Sequence, residues 1–413
     1  MSEPARHGPS VLVVGYNGAN NTGAEALLQT DLRDLRSVLP HAQVTVPTLS
    51  EANLRRYLQE GPDLRIEPMP TLFFRKLRRL VREHDLIMLV EGSAYMDTWT
   101  SALLWYFLWA TQCAHSFGKP CLAYAVDAGD LSPLNRRLVR HVASLTDLIV
   151  TRARAAAERL HAYGVTAPIE VTADNALTFL PRPEDTGWLG REWPEAADGA
   201  IGLAVVDFHL WPVVIRPWGR QADCYKWPYY FSRSPQRAQA TSTLAQGYAE
   251  LADRLIREQG RPVALICMEQ LDEPLARRIH GLMHQGAAAR VFSSCQYDAS
   301  RMTALLRSLS ALVTSRYHAA ILSLQAHVPQ VAVGHDLRLK SLYGELGLQE
   351  DYFLNPDLPD LWSRLHDAVS GLLADPEPMR QRLRQGYDDL AGRAAGNIRL
   401  LHRFLAEQGW ARP

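Results

Sequence analysis

The chain has 413 residues, 44 basic and 44 acidic side chains, 47% hydrophobic and 21% charged content; this is an ordinary globular composition in a chain longer than one core usually spans. The balanced charge gives no support to a nucleic-acid partner held through a general basic surface. Five scattered cysteines (Cys113, Cys121, Cys224, Cys267, Cys295) without Cys-x-x-Cys spacing give no sign of a disulfide framework or zinc knuckle, and point to reduced thiols and a cytoplasmic protein.

Residues 1–9 are polar and lack the basic-then-apolar layout of a secretory leader. Residues 10–14 form an apolar run ending at Gly15, and a helical pattern begins near Ala24, so a buried strand, a loop and a helix are expected. The loop, Gly15-Tyr16-Asn17-Gly18-Ala19-Asn20-Asn21-Thr22-Gly23, is rich in residues that tolerate a left-handed backbone and present amides. It is neither the Gly-x-Gly-x-x-Gly fingerprint nor a Walker loop. A tight turn and an anion cradle using Asn17, Asn20 and Asn21 both fit.

Strands then follow at 43–47, 65–68, 86–90 (breaking at Glu91-Gly92-Ser93), 121–126, 148–151 and 169–172, alternating with helical stretches at 51–59, 72–83, 101–117, 133–144 and 153–163. Such alternation implies a largely parallel sheet covered on both faces, here a Rossmann-like domain over residues 1–180. The most apolar segment, 102–110, is far short of the ~20 residues a membrane-spanning helix needs. The basic, apolar stretch 72–82 reads as a solvated helix face and leaves peripheral membrane contact open.

Residues 181–199, rich in proline, glycine and charge, read as a linker. A second βα series over 200–375 has strands expected at 200–206, 262–268, 290–293, 309–314 and 330–333, with helices at 241–258, 273–285 and 299–308. It is interrupted by an insertion at 209–234 carrying Trp211, Trp218, Tyr225, Trp227, Tyr229 and Tyr230. A lid over a cleft or an interface patch fits that composition. Residues 376–413 are a helical segment, with one long helix expected at 379–408. The fold class is therefore α/β, two Rossmann-like domains facing each other across a cleft in a GT-B-like layout, with the site between domains.

Thr314-Ser315-Arg316-Tyr317-His318 stands where a strand of the second domain passes into a helix, the place where open α/β sheets put ligands. Arg316 offers a fork for a phosphate or carboxylate, and His318 a group that gives or takes a proton near neutral pH. Arg338 and Lys340 follow the next strand end, and Arg152 and Asp174 sit at strand ends of the first domain. Solvated helix-start charges and structural pairing across the sheet are the competing readings. No metal-ligand cluster or nucleophile-base pair is evident, so no metal and no cofactor are expected.

The same residues resemble the polysaccharide pyruvyl transferase family. GYNGANNTGAEALL (15–28), Glu91-Gly92-Ser93, Phe117-Gly118-Lys119-Pro120, Val150-Thr151-Arg152 through Gly164, Thr172-Ala173-Asp174, the Arg316-x-His318-Ala319 helix with Val328-Pro329, and His335-Asp336-Leu337-Arg338-Leu339-Lys340-Ser341 leading to Glu345-Leu346-Gly347 are similar to its successive motifs, over roughly residues 10–350. The resemblance implies transfer of a pyruvyl group from phosphoenolpyruvate to saccharide hydroxyls, with a ketal formed and phosphate released. His318 would be the general acid and Arg316 the donor anchor. The acceptor would be a saccharide, lipid-linked or not. Members carry an arginine after the first strand of the second domain; here that position reads Val205-Val206-Asp207-Phe208, and Arg216 is the nearest replacement. Two other functions share the architecture: a nucleotide-sugar glycosyltransferase holding its base near Tyr343-Gly344-Glu345, and a non-catalytic glycan-binding relative.

Overall fold

A computed structural model describes residues 8–210 and 213–411; the expectation for most of residues 1–9 and for Trp211 falls outside them. The first sheet has seven parallel strands: β1 (Ser10–Val14), β2 (Gln43–Thr48), β3 (Leu64–Pro68), β4 (Leu86–Leu89), β5 (Cys121–Val126), β6 (Leu148–Thr151) and β7 (Ile169–Val171), in spatial order 3-2-1-4-5-6-7. Strands β1, β4 and β5 are almost wholly buried, which is why they appear in the sequence as unbroken apolar runs and not as alternation.

Six helices connect these strands: α1 (Thr22–Val38), α2 (Glu51–Leu54), α3 (Phe74–Glu83), α4 (Ser101–Ser116), α5 (Pro133–Val142) and α6 (Arg154–Ala162). Right-handed crossovers put helices on one face when the chain moves one way along the sheet and on the other when it moves back. Leu77, Phe107, Val139 and Leu160 of α3 to α6 accordingly share one core, and Leu28 and Leu35 of α1 belong to another.

The second sheet is six parallel strands in the order 13-12-8-14-15-16: β8 (Ile201–Ala204), β12 (Val263–Cys267), β13 (Ala289–Ser293), β14 (Ala311–Thr314), β15 (Gln330–Val333) and β16 (Phe353–Leu354). Between β8 and β12 the insertion folds as a small antiparallel sheet of β9 (Val213–Ile215), β10 (Cys224–Lys226) and β11 (Tyr229–Phe231), followed by the 25-residue helix Pro235–Gln259.

Three expectations are corrected. The linker composition of 181–199 hides the helix Trp188–Glu192, and Trp188, Leu189 and Trp193 are buried in the core of the second sheet. Their apolar surface outweighs the surrounding Pro, Gly and charge. The expected single terminal helix is two, Glu377–Ala394 and Gly396–Glu407, meeting at Ala395. The break lets the last helix cross back onto the first sheet, where Leu401, Phe404 and Leu405 are buried beside Val11 and Leu28, each contributing about 1.5–3 kcal/mol. The expected helix at 51–59 shrinks to Glu51–Leu54. Among the described residues no helix is long and apolar enough to cross a membrane.

The two sheets are joined by backbone as well as side chains. Thr22 N donates to Met268 O (2.8 Å) and Gln270 N to Asn20 O (3.2 Å), Ser294 Oγ donates to Asn20 O (2.7 Å), and Arg56 reaches Ser294 O and Cys295 O (2.8 Å each). Glu25 Oε2, in the first turn of α1, accepts from Ala299 N (3.0 Å) at the start of the helix Ala299–Arg307. Burial raises this carboxyl from 4.5 to about 8, against the pull of Arg56. The folded chain thus keeps a proton there that the unfolded chain releases above pH ~4.5, so the stabilisation is complete below that pH and is lost as pH climbs through ~8. Glu25→Gln is expected to flatten this slope, gaining up to about 5 kcal/mol over wild type at alkaline pH. Urea titrations at acidic and alkaline pH check it.

Candidate active site

Strand order reverses between β1 and β4 in the first sheet and between β8 and β14 in the second, and ligand crevices of parallel sheets open at such reversals. Here the two reversals meet. At the end of β14, Arg316 N donates to Thr314 Oγ1 (3.0 Å), which donates in turn to Arg316 O (2.9 Å). This turn starts the helix Tyr317–Ser323 and sends Arg316 and His318 to different neighbours. Arg316 turns back into its own domain: Nε donates to Asp272 Oδ2 (2.9 Å), Nη2 to Asp272 Oδ1, and Nη1 lies 3.2 Å from Glu269 Oε2. His318 crosses to the first domain, with Nε2 3.7 Å from Asp174 Oδ2 and 3.5 Å from Arg152 Nη1.

Arg152 is the hub of the first domain's side. Its side chain is fully buried; Nε donates to Asp127 Oδ2 (3.0 Å), Nη1 to Asp174 Oδ2 (2.6 Å), and the guanidinium carbon stands 4.4 Å from the Tyr317 ring centroid. Burial alone would raise the Asp174 carboxyl, but Arg152, then His318, outweigh it and hold the group far below the ordinary range. Gly92 is required for this packing, since a Cβ there would stand 2.1 Å from Arg152 Nη1. Beside it Glu91 is buried and its carboxyl is raised by burial, with His318, Arg152 and Arg338 opposing the rise. Arg338 completes the group: Nη2 donates to Asp336 Oδ2 (2.6 Å) and Nη1 to Ser93 Oγ (3.1 Å). Asp336 would be raised by burial, yet Arg338 brings it down to about 2.

Of the residues singled out in the sequence, Arg152, Asp174, His318 and Arg338 come together at this junction. Arg316 and His318 face different partners here: Arg316 is paired with two carboxylates of its own domain, and His318 with Asp174 of the other. Arg216 stacks on Tyr230 (5.0 Å) and its Nη2 reaches Phe231 O (3.5 Å), both inside the insertion. Lys340 is exposed on the helix Leu337–Glu345. The Gly/Asn loop is a latch instead of a cradle. Asn17 Nδ2 donates to Pro47 O (3.1 Å), Asn20 has φ 50 and bridges Arg56 to Gln270, and Asn21 caps α1 by accepting from Ala24 N (3.0 Å). Tyr343 is buried, its hydroxyl on Gln330 Oε1 (3.1 Å), so it offers no surface for a base. Asp127, Glu269 and Asp272 were missed. Each follows the carboxyl end of a parallel strand, and that position alone could have flagged them.

Two cavities flank the group. The larger, about 240 Å³, lies between the first domain and the insertion, with Tyr16, Phe73, Trp99 and Tyr106 on one side and Tyr225 and Tyr229 on the other. Tyr16 and Tyr225 hydroxyls meet at 3.1 Å across it. The smaller, beside Arg152, Asp174 and Tyr317, is about 10 Å³, room for one water. At His318 the two domains are in contact, and a Cβ on Gly23 would lie 2.0 Å from Nδ1.

Two Rossmann-like domains with a polar centre at their junction define the GT-B architecture. The chain superposes along nearly its full length on S. aureus MnaA with UDP (TM-score 0.63, 10% identity, 98% of each chain). It also superposes on UDP-GlcNAc 2-epimerase from Neisseria meningitidis bound to UDP-GlcNAc (0.59, 10%, 96% of this chain and 99% of that one), and on a glycosyltransferase from Rickettsia africae (0.53, 11%, 97% and 99%). At these identities the likeness is one of fold. No curated protein matches the chain. The family model for polysaccharide pyruvyl transferases matches residues 21–336, and the chain belongs to that family. Family and fold together are those of a transferase acting on saccharides.

Proposed function

We propose that the protein transfers a pyruvyl group from phosphoenolpyruvate to two hydroxyls of a saccharide, with His318 as general acid. The observation that carries this reading is the crossing of His318 from the second domain onto the Asp174–Arg152 pair of the first. An imidazolium there gives its proton to the donor's methylene carbon, and a saccharide hydroxyl adds to the neighbouring carbon, its proton restoring the imidazolium. Phosphate then leaves with the carbon–oxygen bond electrons, and the second hydroxyl closes the ketal. In this reading Glu91, held above the usual carboxylate range by burial, takes that last proton.

Among the three arginines, Arg338 is the best donor anchor. Its side chain is 25% exposed with one carboxylate partner, against 17% with two for Arg316 and none exposed for Arg152. Donor binding exchanges Asp336 for a phosphate or carboxylate. It also requires the domains to part where Gly23 touches His318. The aromatic cavity suits a sugar ring stacked on its walls. Calorimetry with phosphoenolpyruvate and with UDP, together with phosphate release in the presence of candidate glycans, tests the reading: binding of UDP alone ends it in favour of a nucleotide-sugar enzyme. The pairing of all three arginines favours one other reading, a glycan-binding relative, which saturable glycan binding without phosphate release would establish.

Gly23→Ala is expected to push the imidazole from its seat, lowering turnover at least tenfold by analogy with small misplacements of reacting groups, while a thermal melt moves little. An unchanged turnover would mean His318 works in another position.

A further inference from the structure

Helices α3, α4 and α5 lie side by side on one face of the first sheet. Two indoles stitch them: Trp109 Nε1 donates to Phe74 O (2.8 Å), and Trp105 Nε1 to Asn135 Oδ1 (2.9 Å). The outer surface so formed departs from the chain's charge balance. The three helices carry eight Arg or Lys and one carboxylate, Glu83, in a protein with no net charge. Among the described residues only Lys76 and Arg79 of the eight have carboxylate partners; Arg75, Arg82 and Arg137 are exposed with none. Leu72 (62% exposed), Phe74 (41%), Leu134 (63%) and Leu138 (37%) stand among these cations.

Exposed cations serve any polyanion, but exposed leucines and a phenylalanine between them gain free energy only where apolar surface is covered. Nucleic acid offers phosphates without such cover, and a bilayer offers both. We infer that this three-helix face docks on a bilayer containing anionic phospholipid. The 240 Å³ cavity shares Phe73, Leu103 and Tyr106 with the start of the same layer, so an acceptor saccharide carried on a lipid anchor would reach it without the protein leaving the surface. That last step rests on the transferase reading; the docking does not.

Flotation of the full chain with vesicles tests the docking. Binding is expected to vesicles containing phosphatidylglycerol, weakly or not at all to phosphatidylcholine alone, and to fall as salt rises. The triple reversal Arg75→Glu, Arg82→Glu, Arg137→Glu should bind on the order of a hundredfold more weakly, and Leu72→Ser with Leu134→Ser should weaken it at high salt as well. All five sites are on the surface, and an unchanged melting curve with unchanged phosphate release from soluble substrates separates lost docking from lost catalysis. No vesicle binding, equal binding to neutral and anionic vesicles, wild-type binding by the triple variant, or binding to RNA in place of vesicles overturns the inference.

Discussion

Replacing His318 with glutamine is expected to lower phosphate release from phosphoenolpyruvate by about 10²–10⁴-fold, the usual contribution of a positioned general acid. The fold should survive. His318 is partly exposed, its neighbour Asp174 keeps Arg152 at 2.6 Å, and glutamine retains a donor toward the same carboxylate. Single-turnover phosphate release, read beside a thermal melt, separates the chemistry from any loss of structure. A variant that turns over at the wild-type rate would place the proton donor elsewhere, with Glu91 the next group to replace.

Arg152→Ala carries the largest expected cost in stability. The guanidinium is completely buried between Asp127 and Asp174, whose side chains are 3% and 1% exposed; its remaining Nη2 has no hydrogen-bond partner, and its central carbon stands 4.4 Å from the Tyr317 ring centroid. Removing one member of a buried ion group leaves the others charged and unpaired, which costs about 3–5 kcal/mol. A clear drop in the urea midpoint is therefore expected, together with lost turnover, since Asp174 would no longer hold a fixed place opposite His318. Arg152→Lys should recover little, because a point charge cannot serve two carboxylates through separate nitrogens. A variant as stable as wild type would mean that water enters and solvates the two carboxylates.

Most of the fold was legible because it is written locally. The buried strands β1, β4, β5 and β14 are short apolar runs that end in Gly or polar residues, and the helices between them carry their own period. Where local signals misled, a tertiary contact had overridden them. Trp188 and Trp193 drew a proline- and glycine-rich stretch into a core, and the break at Ala395 follows from the surface that Leu401 and Phe404 find on the first sheet.

By itself the sequence determined the alternation of strands and helices, the two sheets, the family motifs and the placing of Arg152, Asp174, His318 and Arg338 past the ends of strands. Only the tertiary structure decided which charges meet. Arg316 and His318 are two residues apart, yet one is claimed by Asp272 and Glu269 of its own domain and the other by Asp174 of the opposite one. The physical reason is the range of the forces involved: backbone preference and apolar period act over a few neighbours along the chain. Pairing of buried charges acts through space, between groups whose separation in sequence carries no information about their distance.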